Sequence, residues 1–155
     1  MNKKSNKQLA KEIINREIAA LRRTTKLLDS KFERACEAIL SNKGKVITLG
    51  VGKSSFIAMK MAATLSSTGT AALFLHPLDA LHGDVGVIKK NDVVIIYSNS
   101  GETQEVIKLL PLLKLLKCCI ISITGNLSST LARYSKISLD ASVTVSYTHL
   151  RAHET

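Results

Sequence analysis

The chain has 155 residues, a length that suits one domain with a single substantial core. Apolar residues make up 45% and charged residues 22%, the balance of an ordinary soluble globular chain. The net charge of +10 has the sign of a nucleic-acid binder, but aromatics are only 4% and Trp is absent, which excludes a base-stacking platform.

Six of those ten excess positive charges lie in the first 34 residues, which hold ten Lys or Arg against four Asp or Glu. They alternate with apolar residues at helical spacing: Ile14, Ile18, Leu21, then Leu28, Phe32, Ala35 and Ile39. This pattern predicts amphipathic helix from Gln8 to Leu40, with a solvated basic face rather than a DNA-binding arm. The pair Asp29-Ser30 is placed to cap a second helix and so to split the segment. Because charges recur from the first residue, no apolar signal-peptide core is visible.

After Asn42-Lys43-Gly44 the period changes. Short apolar runs at 46–50, 71–75, 92–98, 118–124 and 136–140 read as strands buried on both faces, with helical stretches at 54–67, 103–117 and 128–134 between them. That alternation predicts an α/β fold, a three-layer αβα sandwich around a mostly parallel, flavodoxin-like sheet. The domain expectation is a helical segment over 1–45 packing on the core, a core domain over 46–143 and a foreign tail over 144–155. The most apolar stretch, Leu109 to Ile123, carries Pro111, Lys114 and Lys117 and is too short and too charged to span a bilayer. Cys36, Cys118 and Cys119 form no CxxC and are expected as buried thiols of a reducing cytoplasm.

Two strand-to-helix loops carry the chemistry. In GVGKSS (Gly50 to Ser55) the glycines allow a tight turn, Ser54 or Ser55 opens a helix, and Lys53 offers a cation. The loop fits neither familiar nucleotide template. Ile47 stands where a Walker A loop needs its first glycine, and Ser55 where a dinucleotide fingerprint needs its third. In SNSGET (Ser98 to Thr103) three hydroxyls, Ser98, Ser100 and Thr103, surround Gly101 at the start of a helix, where free N–H groups and the dipole favour an anion. A helix cap needs one hydroxyl; three suggest a ligand. Beyond them, Glu102 and Glu105 stand three apart on that helix, as base, hydroxyl anchor or dipole complement. The segment LHPLDALHGDVGVI adds His76, Asp79, His82 and Asp84 at a spacing that matches no metal template.

In chain order GVGKSS, MAATLSSTGTAALFLHPLDALHGDVG, NDVVIIYSNSGETQEV and ISITGN resemble sugar isomerase (SIS) domains, specifically the arabinose-5-phosphate isomerase family, over residues 8 to 143. The resemblance implies interconversion of D-ribulose 5-phosphate and D-arabinose 5-phosphate, feeding Kdo synthesis for lipopolysaccharide or capsule. It needs no cofactor; the implied partners are a pentose phosphate and further copies of the chain, as dimer or tetramer, with no nucleic acid and no membrane. By motif position it implies phosphate binding by Ser98, Ser100 and Thr103, with Ser54 and Ser55 nearby. It also implies active-site roles for Lys53, Glu105 and His82, the last also taking up inhibitory zinc. Such an isomerisation moves a proton between two carbons through an enediol and stabilises the developing oxyanion.

Departures are Ser55, where the family usually has Gly, and Asp79, where it has Glu. The tail VSYTHLRAHET resembles a translated sequencing adapter. It stands where the family carries a further catalytic glutamate, and a later histidine is missing too. The chain as given is therefore expected to bind sugar phosphate weakly at best and not to turn it over; normal turnover in a kinetic assay would overturn that. The rival expectation is a sugar-phosphate-sensing domain of a transcription regulator, or another SIS isomerase. The roughly 45 residues before the first strand are short for a DNA-binding domain.

Overall fold

The computed structural model describes residues 5–142; the foreign tail expected over 144–155 lies outside them. The chain divides into two compact units, whose described parts are residues 5–29 and 30–142. In the first, α1 (Asn6–Leu27) opens on a capping box. The Ser5 hydroxyl accepts from the Gln8 amide at 3.3 Å while the Gln8 side chain accepts from the Ser5 amide at 2.9 Å. None of its side chains is buried, and Ile14, Ile18 and Leu21 form an exposed apolar stripe.

The helical stretch breaks at residues 28–29, at the Asp29-Ser30 capping signal, and α2 (Ser30–Leu40) belongs to the second unit together with the sheet. Its Ala35 is buried there.

Five strands follow: β1 (Val46–Gly50), β2 (Ala72–Phe74), β3 (Val93–Tyr97), β4 (Cys119–Thr124) and β5 (Ile137–Asp140). They form one wholly parallel sheet in the order β2-β1-β3-β4-β5. The inner runs are mostly apolar because both faces are covered, and buried exceptions such as Thr48 and Ser122 donate their hydroxyls to the Ala58 carbonyl and the Ser138 hydroxyl. Alternate residues go to opposite sides. On one face Ile47, Leu49, Val94, Ile96 and Ile120 pack with α4 (Pro77–Leu81), α5 (Gln104–Leu116) and α6 (Thr130–Tyr134). On the other, Val46, Val93, Ile95, Ile121 and Ile137 pack with α2 and α3 (Lys53–Ser67). The three-layer αβα sandwich expected from the sequence is the architecture observed, with a 3-10 turn over Asp84–Val87 after α4.

The starts of β1 and β3 are pinned together. Asp92, 2% exposed, accepts from the Lys45 ammonium at 2.8 Å, the Lys45 amide at 2.9 Å and the Lys89 amide at 2.7 Å. Burial alone would raise the Asp92 pKa. The hydrogen bonds from Lys45 and Lys89 and the Lys45 charge outweigh it and hold the carboxyl below its ordinary 3.8.

The thiols of Cys36, Cys118 and Cys119 are free and half-buried, not fully buried as expected. Burial pushes Cys118 up to about 11 and Cys119 in the same direction, so neither is a ready thiolate.

Candidate functional site

The strand order puts β1 beside β3, with Gly50 opposite Tyr97 at their carboxyl ends. From there the chain turns to α3 on one face and to α5 on the other. Such a reversal leaves a crevice between diverging loops, the position where open parallel sheets gather ligands. The two loops singled out in the sequence are the two that flank it.

In the loop after β3, Ser98 is 3% exposed and its hydroxyl lies 2.9 Å from that of Thr103. The Gly101 amide donates to the Ser98 hydroxyl at 3.1 Å and the Glu102 amide to the Ser100 hydroxyl at 3.2 Å. Gly101 adopts φ +66°, and a Cβ there would overlap the Ser129 side chain. Only glycine reconciles that left-handed backbone with the close approach. At the N-cap of α5, Thr103 makes no capping bond through its side chain. The amides of Gln104, Glu105 and Val106 have no acceptor among the described residues. A hydroxyl pair, Ser98 buried and Thr103 half-buried, and three open amides at the positive end of a 13-residue helix suit a dianionic phosphate.

The loop after β1 is arranged differently. Gly52, at φ +58°, is the N-cap of α3 and offers no side chain to cap it. The Ser55 hydroxyl turns inward and donates to the Gly52 carbonyl at 2.6 Å, and Ser55 is buried. That bond closes the turn, while Ser54 is half-buried beside it. Lys53 is exposed as the first residue of α3.

Glu105, half-buried, is in the first turn of α5. The His76 side chain caps α4, accepting from the Leu78 amide at 3.2 Å, and His82 is the exposed C-cap of the same helix. Among the described residues no hydrogen bond joins Lys53, Glu105 and His82 to one another, and no three His, Cys, Asp or Glu side chains gather as a metal group. No helix among the described residues is long and apolar enough to cross a membrane.

Sequence reasoning missed the support behind the SNSGET loop, which comes from the turn after β4 and the start of α6. The Asn99 carbonyl accepts from the Gly125 amide at 3.0 Å and the Thr124 hydroxyl at 3.3 Å. The Gly101 carbonyl accepts from the Leu131 amide at 3.1 Å, and the Glu102 carboxylate from the Thr130 amide at 2.6 Å. Thr130, through its amide and then its hydroxyl, with help from the Arg133 charge, holds the Glu102 carboxyl below its ordinary value. These bonds join residues about 28 apart in sequence, which no local pattern reveals. A second groove of about 260 Å³, lined by Lys31, Arg34, Leu127, Ser135, Lys136, Ile137 and Ser138, lies at the β5 edge and contains none of the candidate residues.

The profile of the SIS domain family matches residues 39–150. Arabinose 5-phosphate isomerase KdsD of Pseudomonas aeruginosa is 53% identical over 112 residues, covering 72% of this chain and 34% of the relative. The Francisella tularensis protein of the same name is 50% identical over 137 residues, 86% of this chain and 42% of the relative. The chain thus spans roughly a third to two-fifths of the length of these relatives. A solved Escherichia coli CFT073 protein in complex with arabinose 5-phosphate superposes with a TM-score of 0.79 at 40% identity, over 90% of this chain and 76% of that one. On the sequence match and the shared three-layer architecture together, the chain belongs to the SIS domain family, among relatives that carry the name arabinose 5-phosphate isomerase.

Proposed function

We propose that the chain binds the phosphate of a pentose 5-phosphate and carries part of the site that interconverts D-ribulose 5-phosphate and D-arabinose 5-phosphate. The observation that carries the reading is the loop after β3. Buried Ser98, Thr103 at the N-cap and the open amides of Gln104 to Val106 offer a phosphate several donors without a formal cation. The relatives' shared name and the arabinose 5-phosphate held by the solved neighbour support the sugar. Lys53, on the facing loop, supplies the positive charge for the carbonyl oxygen as the enediol develops. Glu105, in the first turn of α5, is the base that shuttles the proton. His82 carries no bond to either, and we assign it to a site completed by a second copy of the chain. We place the reaction in the cytoplasm, ahead of Kdo assembly.

The experiment is an amide NMR titration of the 155-residue chain with D-arabinose 5-phosphate, run against AMP. Saturable shifts over Ser98 to Val106 with the pentose phosphate and none with the nucleotide are the expected result. Shifts confined to other parts of the sheet would sink the reading.

A further inference from the structure

Glu102 is the one charged side chain of the SNSGET loop, and it reaches to the start of α6. Its carboxylate accepts from the Thr130 amide, the first residue of α6, at 2.6 Å. The preceding carbonyl, of Gly101, accepts from the next amide, Leu131, at 3.1 Å. Two successive N–H groups of α6 thus hold two successive residues of the loop. The remaining donors of that turn are satisfied inside α6: Ala132 donates to the Ser129 hydroxyl and Arg133 to the Ser129 carbonyl. Arg133 returns to Thr130 through a guanidinium bond of 2.9 Å to the threonine hydroxyl. Ser129 is 1% exposed and lies directly against the Gly101 α-carbon, so the loop is set on a rigid seat.

The two helix starts are therefore in opposite states. The first turn of α6 has its donors occupied, two of them by the loop, and that of α5 leaves its amides open. A residue at 102 that lacked an acceptor would leave the Thr130 amide unpaired and the peptide between Gly101 and Glu102 held to α6 through its own carbonyl alone. That peptide carries the Glu102 amide, which donates to Ser100, and it leads directly into the N-cap of α5.

We propose that Glu102 is a positioning residue for phosphate binding: by tying the loop to the first turn of α6 it holds the Ser98, Ser100 and Thr103 hydroxyls and the α5 amides in one geometry. The inference rests on the phosphate reading of that loop. Glu102 acts through the backbone and does not itself meet the ligand, where its charge would repel a dianion.

The test compares the wild-type chain, Glu102→Ala and Glu102→Gln, using D-arabinose 5-phosphate as the probe in amide NMR titrations, with hydrogen exchange on each free protein. Glu102→Ala is expected to weaken binding at least about fivefold, the cost of losing a charge-assisted hydrogen bond that orders the loop. It should also lose exchange protection at Thr130 and Leu131. Glu102→Gln keeps an acceptor oxygen and should recover binding to within about twofold of wild type. Wild-type affinity in the alanine variant would overturn the proposal. So would a glutamine variant as weak as the alanine one, which would mean that the charge and not the tether matters. The wild-type arm tests the phosphate reading separately: no response there removes the ligand, whereas normal wild-type binding with unaffected variants removes only the role of Glu102.

Discussion

Ser98 is nearly fully buried, and its hydroxyl serves both the Gly101 amide and Thr103. Ser98→Ala removes an acceptor under the loop as well as a donor for phosphate. It should weaken D-arabinose 5-phosphate binding about tenfold, as calorimetry would show. Gly101→Ala is a harsher change, because it combines a left-handed backbone with an overlap on Ser129. A loss of at least about 2 kcal/mol in urea unfolding is expected. Far from the site, Asp92→Ala removes the acceptor of three donors and leaves the Lys45 ammonium, 26% exposed, without its partner. About 3 kcal/mol of stability should be lost. The sign of the pH dependence follows from the depressed folded pKa of Asp92. Its contribution is complete above the unfolded value near 3.8 and declines as pH falls through the lower folded value. Stability measured from pH 5 downward should therefore drop less steeply in Asp92→Asn than in the wild type.

At the level of elements, the strands were legible because a strand covered on both faces is apolar along most of its length: VITLG and DVVIIY announce β1 and β3 without tertiary knowledge. The break between α1 and α2 was legible from Asp29-Ser30. Within α5, Pro111 sits mid-helix without ending it, and the helix stops at Lys117, a non-glycine residue in the left-handed region. Tertiary burial of Leu109, Leu110 and Leu113 holds that helix through the proline. The exposed stripe of α1 makes an element-scale prediction. Ile14, Ile18 and Leu21 of α1 are exposed, and we propose that they pair with the same stripe on another copy of the chain. Replacing Ile14, Ile18 and Leu21 with Ser should shift the chain to monomer in light scattering, and an unchanged mass would refute the assignment.

For the molecule as a whole, residue types and their order were enough to establish the class of fold and to nominate the two loops. Apolar periodicity, glycine at turns and hydroxyls at helix starts are local properties, each set by the few residues around it. Pairing was not local. The placement of β1 beside β3, which sets the loops that follow them side by side, depends on how helices distribute between the two faces of the sheet. The inward turn of Ser55 and the tether from Glu102 to Thr130 likewise exist only once distant segments are packed. Sequence by itself determined the chemistry on offer, because side-chain identity and backbone propensity travel with each residue. Only the tertiary structure decided which donors stay open to a ligand, because that depends on which acceptors the fold has already brought within reach.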